Sequence, residues 1–143
     1  MSASKSRLYH KLQIAAHRLQ KVADRALLAE AEINTAQAAV LAVIGAQGSA
    51  TQRDVAGQLG INESAMTPMV GRLLEMGLLK RVRDADDVRA WRLRLSDNGR
   101  SALKRVEQPF RGINQRIEAV LTAEEIMQLA DYLKRIVATF DKA

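Results

Sequence analysis

The sequence predicts a mainly α-helical chain interrupted by one small β-hairpin. Apolar residues recur at helical spacing through most of its 143 residues. The period switches to two only between residues 78 and 95. Capping residues and glycines punctuate the changes.

Arg7 to Ala31 reads as one long helix. Leu8, Leu12, Ala15, Leu19, Val22, Ala26 and Ala29 step by four and three, and no Gly or Pro intervenes. A helix of this length needs a partner chain or other long helices to pack on. Thr35 to Gln47 is a second helix, with Thr35 as N-cap, Val40, Leu41, Val43 and Ile44 as its apolar face, and Gly48 as its stop. Thr51 opens a short third helix through a Thr51-x-x-Asp54 capping box, and Gly60 ends it. A fourth begins at Asn62 or Ser64 and runs to Met76, burying Met66, Met69, Val70, Leu73 and Leu74, with Gly77 as its stop.

Trp91, Leu93 and Leu95 then alternate with Arg92 and Arg94, the signature of a strand with one basic face. Leu78 to Arg83 is its partner, and Asp84 to Asp87 form the polar turn. Ser96 caps a fifth helix reaching Val120, kinked at Pro109. Thr122 and Glu125 make a second capping box, opening a sixth helix with Ile126, Leu129, Leu133, Ile136, Val137 and Phe140 on one face.

Length alone suggests one domain. The chain carries a formal charge of +6 and no cysteine. Disulfides, thiolate metal sites, cysteine nucleophiles and direct thiol sensing are thereby excluded. The N-terminus has no apolar signal core, and the most apolar stretch, Ala36 to Ala46, is far shorter than the ~20 residues that span a bilayer. A cytoplasmic chain without membrane contact is expected. The charge is uneven: residues 80–105 carry a net +5, whereas the fourth helix is slightly negative. A surplus of this kind points to an anionic partner.

The order helix, short capped helix, turn, amphipathic helix, hairpin is that of a winged helix-turn-helix lobe. Its physics suits double-stranded DNA: the fourth helix enters the major groove and the basic hairpin reaches a minor groove or phosphates. On the outward face of that helix Ser64, Thr67 and Arg72 offer donors, Arg72 late enough to favour phosphate, while Pro68 and the Thr67 methyl suit a thymine methyl. Bidentate base readers are scarce, so affinity is expected mainly from the wing, supplemented by shape readout. Arg92 and Arg94 share a strand face and are candidates for phosphate.

Leu59-Gly60-Ile61, Met66-Thr67, the run Arg72 to Arg81, Asp87-Val88-Arg89-Ala90 and Leu95-Ser96-Asp97-Asn98-Gly99 together resemble the MarR family of bacterial regulators, whose wing carries Asp-x-Arg and whose following strand ends in Leu-Thr/Ser-x-x-Gly. The resemblance runs without a gap from Leu59 to Gly99, and the flanking helices extend it to nearly the whole chain. It implies a single domain over 1–143, with the DNA-binding lobe at 35–100 and dimerisation helices at 6–32 and 101–141. It further implies a homodimeric repressor on a pseudo-palindromic operator, with Arg89 entering the minor groove and Asp87 orienting it through a salt bridge. Leu8, Leu12, Leu19, Leu129, Leu133, Ile136 and Phe140 are the positions expected to carry dimerisation. Family members bind small aromatic or anionic effectors between the dimer helices and the winged lobe, and there His17 and Arg18 are the candidates to hold an anion. Thr67-Pro68 resembles the branch that senses organic peroxides through a reactive cysteine; with no cysteine here, that mechanism does not carry over.

Other chemistry is poorly supplied. No nucleophile elbow, phosphate-binding glycine loop or paired metal motif occurs. Asp84, Asp86 and Asp87 fail as a calcium loop, with Arg89 at position six and Leu95 at position twelve. His10 and His17 are separated by ~10.5 Å of helical rise, too far to chelate one metal unaided. No enzyme activity, metal or resident cofactor is expected. The alternatives are a ligand-independent architectural DNA binder, or a helical module whose basic hairpin meets an acidic protein.

Overall fold

The structure is a computed structural model that describes residues 7–87 and 89–141. Seven helices and two strands follow in order among them: α1 (Leu8–Ala31), α2 (Thr35–Gln47), α3 (Gln52–Leu59), α4 (Glu63–Glu75), β1 (Leu79–Arg83), β2 (Trp91–Leu95), α5 (Asp97–Arg105), α6 (Glu107–Glu118) and α7 (Ala123–Phe140). The chain divides into two compact units, Met1–Pro109 and Phe110–Ala143.

The core of the first unit forms around α2. Ala38, Val40, Leu41 and Ile44 are buried, and Leu27 and Ile33, Val55, Met66, Val70, Leu73, Leu93 and Leu95 join them in one cluster. Each large side chain taken out of water contributes about 1.5–3 kcal/mol. Gly45 has a packing reason to be in a helix: a Cβ there would press on Leu95 and Leu103 at 3.0 and 3.2 Å. Only the second half of α1 enters this core, through Leu27 and Ala31, while Ala23 is buried one turn earlier.

The sequence reading places the N-cap of α2 at Thr35, but Asn34 is the cap. Its side chain accepts from Gln37 N–H at 2.8 Å, and Gln37 Oε1 accepts from Asn34 N–H at 2.9 Å. Thr35 is instead the first helical residue, and its orphan N–H goes to Asp24 Oδ1 of α1 at 2.7 Å. A capping box and a tertiary carboxylate thus share the amides that a helix start leaves unpaired. The Thr51–Asp54 and Thr122–Glu125 boxes form as expected. Gly60 closes α3 at φ 65° and Gly77 follows α4 at φ 74°, left-handed positions where other residues are strained.

The fifth helix is not one kinked rod. It is interrupted at Val106, giving α5 and α6. Pro109 has no N–H to offer the Arg105 carbonyl. As third residue of α6 it occupies a position whose N–H needs no intrahelical partner. In the second unit α6 and α7 bury no residue completely, and Ile117, Leu121, Ile126, Leu129 and Leu133 line an apolar recess between them. No single helix among the described residues is long and apolar enough to cross a membrane.

The strands pair antiparallel with Leu79 opposite Leu95 and Arg83 opposite Trp91. On its other side, β2 exchanges two backbone bonds with Ala50, Leu93 N–H to Ala50 O at 2.7 Å and Ala50 N–H to Leu93 O at 3.1 Å. Where β2 meets α5, Ser96 Oγ–H donates to Gly77 O at 2.6 Å while accepting from Gly99 N–H at 3.0 Å. Gly99 lies so close to the Leu78 carbonyl that an added Cβ would overlap the oxygen, well inside van der Waals contact. Gly99→Ala is therefore expected to cost at least about 2 kcal/mol, read as a lowered denaturation midpoint. A midpoint unchanged from wild type would show that this crossing yields.

Candidate nucleic-acid interface

The helix-turn-helix is set by α3, the Gly60 turn and α4. Burial of Met66, Val70 and Leu73 turns the opposite face of α4 outward, and Ser64, Thr67, Pro68 and Arg72 are all exposed there. The structure adds a residue that the sequence reading did not single out. Gln52, the first residue of α3, donates from Nε2 to Thr67 Oγ1 at 2.8 Å, and Thr67 Oγ1–H donates to Glu63 O at 3.1 Å. The Thr67 hydroxyl is thereby occupied, and its methyl is what remains to present. Arg72 keeps only a loose 3.8 Å pairing with Glu75, both well exposed. A pair of this kind is worth at most about 1 kcal/mol and yields readily to phosphate.

The wing is more structured than its alternation suggests. Paired residues share a face, so Lys80 lies directly opposite Arg94, both exposed. Like charges so placed repel, and an anion relieves them. Lys80 escaped the sequence reading because only strand register reveals its neighbour. Trp91 belongs to the face of Leu93 and Leu95 but lies beyond the core, 46% exposed, with the Arg83 guanidinium 4.0 Å from its ring centroid.

Arg92 departs from expectation. It shares the basic face but does not point freely outward. Nε–H donates to Ser49 Oγ at 3.0 Å, Nη2–H to Ser49 O at 3.1 Å and Nη1–H to Asp84 Oδ2 at 3.4 Å. Asp87 departs as well. Its Oδ1 accepts from the backbone N–H of Arg89 at 3.0 Å, where the sequence reading has a salt bridge to the guanidinium. A carboxylate two residues back reaches the amide through a short local turn, which shapes the tip rather than aiming the side chain. The Arg89 side chain is exposed. On α1, His17 and Arg18 line an open recess with Gln13 and Ile14.

The Asp84 carboxyl is held below its ordinary value of 3.8. The Asp86 backbone N–H is the largest cause, burial opposes it, and Arg92 and the Asp87 N–H add to the lowering.

A helical lobe with an exposed turn-following helix and a basic antiparallel hairpin defines a winged helix-turn-helix protein. The family model "MarR family" matches residues 33–91. The transcriptional repressor MdtR of Bacillus subtilis is 32% identical over 98 residues, 68% of this chain and 63% of that one. The PcaV transcriptional regulator of Streptomyces coelicolor, solved with its natural ligand, is 31% identical over 93% of this chain and 91% of that one, with TM-score 0.75. A mutant MarR from E. coli complexed with operator DNA shares the fold at TM-score 0.84 and 23% identity, over 90% and 92% of the two chains. The chain belongs to the MarR family and is a transcriptional regulator that binds DNA.

A depressed carboxyl stabilises the fold above its unfolded value, and that contribution disappears as pH falls through the lower folded value. The stability difference between wild type and Asp84→Asn is therefore expected to stay flat from about pH 8 to pH 5 and to narrow only below 3.8. Denaturant unfolding across this range measures it.

Proposed function

We propose that the chain is a cytoplasmic homodimeric repressor that grips a pseudo-palindromic operator with two winged lobes and is released by a small aromatic or anionic effector. The observation that carries this reading is the hairpin: an exposed Arg89 at its tip and the opposed cations Lys80 and Arg94 on its outer face. In this reading residues 35–100 are the DNA-binding lobe. Arg89 enters the minor groove, Arg94 and Arg72 meet phosphate, and Ser64, Thr67 and Pro68 face the major groove. Asp87 serves Arg89 indirectly, by shaping the turn.

Residues 6–32 and 101–141 are the dimerisation segments. The support is unpartnered apolar surface: Leu8, Leu19, Leu129, Leu133 and Phe140 are exposed in the single chain, and Leu12 and Ile136 are half-buried. Apolar faces of this extent on monomeric proteins are uncommon. Repression is supported by the likeness to MdtR, and effector response by the likeness to PcaV, whose structure holds a ligand. His17 and Arg18 are the anion-holding candidates.

The purified protein is expected to protect one discrete site with half-sites about one helical turn apart. Continuous coating of DNA would support an architectural role, and unaltered DNA mobility a protein partner. Arg89→Ala is expected to weaken operator binding about tenfold or more and to lower the salt slope by about one. Unchanged affinity and slope would refute the wing's role. Leu133→Lys is expected to convert the dimer to monomer in sedimentation; a dimer that survives would move the interface elsewhere.

A further inference from the structure

Arg92 sits on the basic face of the wing, where a DNA contact is the obvious assignment. The geometry points instead to Arg92 as the strut that sets the pitch of the wing, acting on DNA only through Arg89 and Arg94. This inference rests on the wing's being part of the DNA interface.

The guanidinium is spent on protein. It donates twice to Ser49, in the link between α2 and α3, and once to Asp84, the residue after β1. Its side chain is 30% exposed and that of Asp84 only 17%. Both partners are themselves fixed. Asp84 Oδ1 accepts from Asp86 N–H at 2.8 Å, and Asp84 N–H donates to Ala90 O at 3.2 Å, closing the hairpin. Ser49 adjoins Ala50, which pairs with Leu93 on the edge of β2 away from β1. Arg92 therefore straddles β2 and ties the strand on one side to the link on the other. A two-stranded hairpin alone is marginally stable in water. Charge-assisted bonds at a half-buried site are among the stronger devices for holding one in place.

The two roles predict opposite signs for one substitution. Asp84→Asn removes a negative charge beside a DNA-binding surface. If Arg92 served phosphate, this change would leave it freer and binding would hold or tighten. If Arg92 is a strut, binding weakens although the protein has become more positive.

The test uses full-length protein and a duplex that it selects from random-sequence DNA. Asp84→Asn and Ser49→Ala are each expected to lower affinity about three- to tenfold with the salt slope unchanged, since no phosphate contact is lost. Arg94→Ala is expected to lower the slope by about 0.9. In free protein, the two strut variants are expected to lower the emission anisotropy of Trp91, the sole tryptophan, while the helical circular dichroism stays that of the wild-type fold. Equal or tighter binding by Asp84→Asn, or a slope reduced by about one in Arg92→Ala, would overturn the inference. If Arg89→Ala and Arg94→Ala both bind like wild type, the wing reading fails instead, and the Trp91 anisotropy of the strut variants still decides whether Arg92 holds the hairpin.

Discussion

One peptide carries the geometry of the DNA-binding lobe. The end of α4, the start of β1, the end of β2 and the start of α5 all meet at Leu78. Its N–H closes on Leu73 O at 3.0 Å, and its carbonyl accepts from Ser96 N–H at 3.1 Å. Ser96 caps α5 and at the same time bonds Gly77 O. Gly99 completes the crossing because no other residue leaves room for the Leu78 carbonyl. Through this junction the last turn of α4 and the base of the hairpin are parts of one rigid object.

The lobe's second anchorage lies at the opposite edge of β2. Ala50 and Ser49 hold that strand to the link after α2, by backbone bonds through Leu93 and by side-chain bonds through Arg92. α2 is in turn fixed at its N-terminus to α1, where Asp24 accepts from Thr35 N–H. The apolar core explains why these polar ties suffice. Leu93 and Leu95 are already buried against α2, so the ties select an orientation and need not supply most of the stability.

Much of this was legible in the sequence. Periodicity located the elements except for the division of the fifth predicted helix into α5 and α6, and the Thr51 and Thr122 boxes located two helix starts to the residue. The signature Leu95-Ser96-x-x-Gly99 was visible as a resemblance, but its reason was not: that a serine must cap one helix while bonding another's end, and a glycine must clear a carbonyl, is a fact of tertiary proximity. The same limit explains Asn34, where a long-range carboxylate freed Thr35 from capping, and the break at Val106, three residues before Pro109. At the site, the exposed positions on α4 followed from burial of its other face. Gln52, Lys80 and the use of Arg92 did not follow, because each depends on which side chains the fold makes neighbours from separate elements of the chain.

The crowding at Gly99 also bears on how such a protein can diverge. Exchange at the junction is punished by collision with a backbone oxygen that has nowhere to go. The tip is different: Ala85, Asp86, Asp87 and Arg89 are exposed. With the tip at the DNA as proposed, a descendant gene can try new tips on an unchanged hinge, altering which DNA it prefers without having to solve the fold again.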